Sequence, residues 1–265
     1  MNYRHGYHAG NFADVVKHVA LVQLLLHLRK KDTAFSVIDS HAGRGLYDLA
    51  GVEAGKTGEA ANGIGRLAGL AGALPETVAT YLALVRESGG YPGSPLLAAK
   101  LLRPQDRLTA LEKHPEEYAV LKQVLAPFQN AVAENGDGYA RAVKLVPPPS
   151  RRGLVVIDPP FEAADEFAAL VRALREGYRK FANGIFLAWY PIKSRAEADG
   201  FTGEILAAGV AKALTVEASI AAPEGKLARA GLLVINPSWG FADAFAPLAA
   251  PLDADIQIKW LAGAE

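Results

Sequence analysis

None of the 265 residues of this chain is a cysteine. That excludes disulfides, iron–sulfur clusters, thiolate zinc sites and any mechanism built on a cysteine nucleophile. Net charge is equally absent, because 28 lysines and arginines offset 28 aspartates and glutamates. A neutral chain has no whole-molecule pull on nucleic acid, so contact of that kind would have to come from a local basic patch. Long apolar runs are missing too, since charges interrupt every apolar window well short of a membrane span. The opening residues, MNYRHGYHAGNFADVVKH, lack the hydrophobic block of a signal peptide. A soluble cytoplasmic protein without membrane association is expected.

What the chain does hold is 51% hydrophobic residues, ample for the core of one large α/β domain. Asn11 is placed to cap a helix running to about Lys31, with Val15, Val19, Val22 and Leu26 on one face. Buried-strand patterns then alternate with helical ones. The strands are FSVID (35–39), RLTALEKH (107–114), a weaker NAVAENGDG (130–138), GLVVIDPPF (153–161) and IFLAWYP (185–191). Helices are expected over 163–182 and 194–209. Two late strands, ALTVEASI and LLVINPSW, flank a hairpin-like connection at 222–231. From about Leu49 to Arg103 the composition shifts to Ala and Gly, with helical stretches after Pro75 and Pro95 and no convincing strand. The pattern predicts an α/β fold, a mostly parallel sheet flanked by helices. A small helical subdomain (49–103) would be inserted between residues 1–48 and 104–265.

Asp39, Glu112 and Asp158 each follow an apolar strand directly, and Asp137 follows one more weakly. In a parallel sheet such strand ends share one edge, where ligands bind. A carboxylate after the second strand can accept two ribose hydroxyls, and Gly43 and Gly45 let backbone approach a ligand. Each acid could equally cap the helix that follows it. The turn reads G-R-G rather than G-x-G-x-x-G, and no Walker lysine follows a strand, which disfavours dinucleotides and nucleoside triphosphates. S-adenosylmethionine, with a ribose but no pyrophosphate, becomes the better cofactor candidate.

Asp158-Pro159-Pro160-Phe161 is the most informative stretch. Two prolines after a strand donate no hydrogen bonds, so they stop the sheet and leave acceptor carbonyls beside a carboxylate. Phe161 offers a flat face for a base. An amine conjugated to a heterocycle is a poor nucleophile, and fixed acceptors around its N–H bonds can make its lone pair more available. An ordinary loop with Phe161 in the core is the plain alternative.

The motif resembles the amino-group N-methyltransferases of the class I S-adenosylmethionine-dependent fold. More narrowly, residues 3–18, D-S-H-A-G-R-G (39–45), Y-P-G-S-P (91–95), R-R-G-L-V-V-I-D-P-P-F (151–161) and W-Y-P (189–191) are similar to the ribosomal RNA large subunit methyltransferase J family. The resemblance implies a monomeric Rossmann-like enzyme, with no obligate protein partner, that methylates N6 of an adenine in 23S rRNA. It further implies that His18, His41, Ser94, Glu112, Asp137, Gly138 and Asp158 line the cofactor site. Tyr3 would meet the substrate nucleotide, Pro159, Pro160 and Phe161 would shape its pocket, and Asp158 would be the catalytic acceptor. Phe161 stands where many relatives carry Tyr.

His18 has no acid or histidine four residues on, so no metal site is expected. His5 and His8, with Tyr3, Arg4 and Tyr7, suit stacking on a base and holding phosphate, or a flexible terminus. His27 and His114 are expected at the surface or as caps. Arg172, Arg175, Arg179 and Lys180 make one helix face basic, ordinarily a solvated face. Trp189, Tyr190 and Pro191 end the fifth strand near the same edge and could wall the pocket, with core packing the main expectation. Rival readings are a methyltransferase for DNA adenine or a protein amide, and a non-catalytic RNA-binding module.

Overall fold

The computed structural model describes residues 5–70, 74–223 and 225–263. Helix α1 (Phe12–Arg29) starts where expected: the Asn11 side chain accepts from the Asp14 amide at 2.9 Å. It stops at the Lys30 cap, slightly before the expected end. Its burial extends well beyond one face, and Leu26 is only half-buried. The reason lies in the following segment. Helices α2 (Val52–Thr57) and α3 (Ile64–Leu67) are short, while α4 (Glu76–Arg86) and α5 (Ser94–Leu101) pack on α1 and share its core through Val78, Tyr81, Leu82 and Leu97. The expected absence of strand here needs one correction. Strands β2 (Leu46–Tyr47) and β3 (Tyr91–Pro92) form a two-residue antiparallel clasp.

The main sheet contains β1 (Ser36–Asp39), β4 (Arg107–Glu112), β5 (Ala131–Asn135), β6 (Gly153–Ile157), β7 (Ile185–Pro191), β8 (Ala213–Ile220), β9 (Arg229–Ile235) and β10 (Ala254–Ala262). Their order is β10-β8-β9-β7-β6-β1-β4-β5. The ladders among β5, β4, β1, β6 and β7 are parallel, and β9 and β10 pair antiparallel with their neighbours. Strand β6 is buried along its whole length, as a central parallel strand must be. Leu154 and Val156 face the core beneath α1, while Val155 and Ile157 face the opposite core. Helices α7 (Gly138–Leu145), α8 (Glu166–Lys180) and α9 (Arg195–Ala207) cover that second side. The result is a three-layer α/β/α domain.

Helix α6 (Pro115–Leu125), α7, α10 (Ala246–Leu252) and β10 had no counterpart among the expected elements. Strand β10 alternates half-buried and exposed residues along a sheet edge, a weak signal in a short amphipathic run. LLVINPSW was expected as strand throughout, yet β9 ends at Ile235. There Asn236 takes φ 55° and its side-chain amide donates to the carbonyls of Ala182 and Gly184. No helix among the described residues is long and apolar enough to cross a membrane.

Candidate active site

Chain direction changes sides at β1. The path runs outward through β4 and β5, then returns to β6 on the other flank, opening a crevice at the carboxyl ends of the strands. A cavity of about 600 Å³ occupies it, within the range of small-molecule sites. His18, His41, Ser94 and Glu112 border this cavity, as do Asp137, Gly138 and Asp158. Pro159, Pro160 and Phe161 line it too. Of the expected site residues, Tyr3 alone lies outside the described residues.

Glu112 is fixed by backbone. The Gly43 amide donates to Oε2 at 2.9 Å and the His114 amide to Oε1 at 2.7 Å. Gly43 can serve because its φ of 61° is open to glycine, and a Cβ there would overlap the Tyr47 hydroxyl. Burial raises the Glu112 pKa, against the pull of these amides. Carboxylate oxygens hold more lone pairs than two amides use, so both can still accept. Asp137 is also a helix cap, accepting from the Ala140 amide at 3.0 Å, while Lys113 reaches it at 3.3 Å. Gly138 is pressed against Ser40, whose carbonyl oxygen a Cβ would strike.

Burial pushes His18 down to about 3 and His41 to about 4, so both rings are neutral near pH 7. His18 Nδ1 lies 3.0 Å from the Tyr91 hydroxyl, and His41 stands edge-on to Tyr139 with Nδ1 2.7 Å from Ser40 Oγ. His114, expected at the surface or as a cap, occupies the α6 N-cap position and borders the cavity; its buried Nδ1 has no hydrogen-bond partner.

Asp39 departs from the expected convergence of strand-end acids. It is fully buried behind the cavity wall, where the nearest polar groups, Ser94 and the His41 backbone, satisfy its oxygens only poorly. Burial pushes its pKa up to about 7, with Ser94 opposing most strongly. A carboxyl whose folded pKa exceeds its unfolded value is stabilising when protonated, so stability is lost as pH rises from about 4 through 7. Three units correspond to about 4 kcal/mol at most. Asp39→Asn should remove this loss. Urea titrations of the ligand-free protein at pH 5 and 8 should show the variant gaining on wild type at pH 8, and equal pH dependence would refute the assignment.

The Asp158 environment holds the groups that sequence reasoning missed. Lys17 Nζ lies 2.5 Å from Asp158 Oδ2 and 2.8 Å from Asp14 Oδ1. Asp14 Oδ2 in turn accepts from the Gly10 amide, and His5 Nε2 lies 2.9 Å from it. Burial alone would lower the Lys17 pKa, but Asp14 and Asp158 hold it well above its usual value. Burial would likewise raise Asp14, yet His5 and Lys17 keep it well below the ordinary carboxylate range. An Asp and a Lys three apart in the buried, largely apolar first half of a helix was the available signal.

Phe161 is held in left-handed backbone at φ 49°. Its ring meets Phe167 and Trp189 edge-to-face, with centroids 4.9 and 5.7 Å away. Trp189, expected mainly as core, is half-buried and forms part of the cavity wall, whereas Tyr190 is wholly buried. Arg172, Arg175 and Arg179 are exposed on the outer face of α8.

A three-layer α/β/α domain with a cavity at the carboxyl edge of its sheet, and a D-P-P-F turn lining that cavity, defines a Rossmann-like methyltransferase. The particular family follows from comparison with known proteins. Residues 32–257 match the family described as Ribosomal RNA large subunit methyltransferase D, RlmJ. Ribosomal RNA large subunit methyltransferase J of Haemophilus influenzae is 38% identical over 248 residues, covering 90% of this chain and 88% of the relative. The Escherichia coli K12 protein of that name is 38% identical over 247 residues, with the same coverage of both chains. Protein LPL1258 from Legionella pneumophila, a solved structure, is 30% identical with a TM-score of 0.86, covering 95% of this chain and 98% of its own. The chain belongs to the RlmJ family.

Proposed function

We propose that this protein transfers a methyl group from S-adenosylmethionine to the exocyclic N6 amine of an adenine in 23S rRNA. It would act in the cytoplasm as a monomer, with residues 49–103 as an inserted helical subdomain. The observation that carries this is Asp158 at the end of β6, gripped by Lys17 and followed by two residues that cannot donate. The cavity suits the cofactor: it is large enough, and Glu112 stands in it with its orientation fixed and acceptor capacity left.

When bound, S-adenosylmethionine supplies a methyl group already activated by its sulfonium. Glu112 would accept the ribose hydroxyls, with His18, His41, Ser94, Asp137 and Gly138 around the rest. Asp158 would accept an N6–H bond and the proton lost as the new C–N bond forms. Lys17, a buried cation 2.5 Å from Oδ2, holds the Asp158 carboxylate in place for that purpose. An adenine inside a duplex has its amine in a pair, so the target would be unpaired or flipped out, at a difference of a few kcal/mol. Tyr3 would meet this nucleotide.

Phe161 would stack on the extruded base, a contact of about 1–3 kcal/mol. Phe161→Ala should therefore slow methylation of RNA about 5- to 150-fold and leave cofactor affinity nearly unchanged. Phe161→Tyr should stay active. Equal loss of cofactor and RNA binding in Phe161→Ala would assign the ring to packing with Phe167 and Trp189 alone.

Methyl transfer assayed side by side on naked rRNA, DNA and glutamine-containing peptides tests the substrate class. Transfer to rRNA alone is expected. Transfer to DNA or peptide instead would redirect the assignment, and RNA binding without any transfer would favour a non-catalytic module.

A further inference from the structure

A second cavity, of about 220 Å³, lies beside the first. Its floor is the carboxyl edge of the same sheet: β8 runs parallel to β7 and ends at Ile220, and antiparallel β10 begins at Ala254. Phe12, Ile220, Pro223 and Leu252 supply apolar wall. Thr57, Glu59, Asn62 and Arg66, from the stretch that runs from the end of α2 into α3, supply a polar rim. Asn11 and Leu227 border both cavities, so the two share a stretch of wall.

The charges at this rim are already ordered. Glu59 lies 3.0 Å from His8 Nδ1, accepts from Asn11 at 3.2 Å and sits 3.7 Å from Lys226 Nζ. Arg66 donates to the Leu252 carbonyl at 3.1 Å and to Asn62 at 3.3 Å. Its side chain and that of Lys226 remain 38% and 49% exposed. Asp253, which also lines the cavity, lies 4.0 Å from Arg66, so two partly exposed cations, each with an acid beside it, stand at the mouth of a mostly apolar hole edged with polar groups. Such a hole matches one kind of occupant well: an unstacked nucleobase, whose faces are apolar, whose edge hydrogen-bonds and whose phosphate is anionic.

We propose that this second cavity receives the base of a nucleotide flanking the target adenine, with Arg66 and Lys226 at the adjoining phosphate. The proposal rests on the assignment of RNA as substrate. Continuity supports it, because a nucleotide inserted into the larger cavity brings its neighbour to the wall formed by Asn11 and Leu227. The consequence is a sequence or stacking preference next to the modified base.

The test compares three forms of the rRNA fragment that accepts the methyl group: intact, abasic one nucleotide 5′ of the target, and abasic one nucleotide 3′. Wild type is compared with Ala222→Phe, which would fill the cavity from the loop after β8, and with Ala221→Trp as a second filling variant. Cofactor titration and thermal melts confirm that each is folded and loaded. For wild type, one of the two abasic RNAs should show kcat/KM lower by about fivefold or more. At least one filling variant should show a similar loss on intact RNA and no further loss on that abasic RNA. Wild-type rates indifferent to both abasic substitutions would overturn the subsite, as would losses that simply multiply. Failure of wild type to methylate the intact fragment, with the cofactor bound, would instead overturn the RNA assignment beneath it.

Discussion

Asp158→Ala is expected to lower the methyl-transfer rate by about 10³-fold while the protein stays folded. The carboxylate ends β6, where the sheet stops and two prolines prevent the turn from donating to it or to a substrate amine. Loss of the side chain removes both the acceptor that orients N6–H and the base that takes the proton. Lys17 keeps Asp14 as a partner at 2.8 Å, so the variant does not strand an unpaired buried cation. Asp158→Asn should be nearly as inactive, since a neutral amide cannot take the proton. Single-turnover rates with matched melting curves give the comparison. A folded Asp158→Ala variant turning over at a wild-type rate would remove Asp158 from the chemistry.

Lys17→Met should damage both stability and rate. The Lys17 side chain is only 5% exposed and lies between two carboxylates. Removing one partner of a buried charge cluster costs about 3–5 kcal/mol, because the remaining charges are left uncompensated. Asp14 is the more confined of the two carboxylates, at 3% exposure against 16%. The double variant Lys17→Met/Asp14→Asn should therefore regain part of the lost stability. It should not regain turnover, because Asp158 would still lack the cation that orients it. Chemical denaturation and single-turnover rates of the two variants separate these effects. Full recovery of rate in the double variant would reduce Lys17 to a structural counter-ion for Asp14.

The parts of this molecule legible in its sequence are those set by local pattern. The buried strand β6, the Asn11 cap and the acid-tipped ends of β4 and β6 each follow from a few neighbouring residues. Glu112 and Asp158 were found that way. Long-range pairing was much harder to read. That Asp158, at the end of β6, would meet Lys17, in the second turn of α1, depends on how α1 crosses the sheet, and no spacing rule connects residues 141 positions apart. Asp39 carried the same strand-end signal as Glu112 yet sits behind the wall, because depth along a sheet edge is a packing property. His114 takes the cap position that its place before a helix allows, but that this cap and Trp189 would border the same cavity depends on neighbours from other strands. Strand β10 escaped notice because an edge strand buries only part of each inward side chain.

The measurement that bears most directly on the whole account is mass spectrometry of rRNA nucleosides after incubation with the protein and methyl-labelled S-adenosylmethionine. The account predicts one labelled product, N6-methyladenosine, arising from 23S rRNA and missing when Asp158→Ala replaces wild type. Label on another nucleoside, or no label although the cofactor is bound, would contradict it.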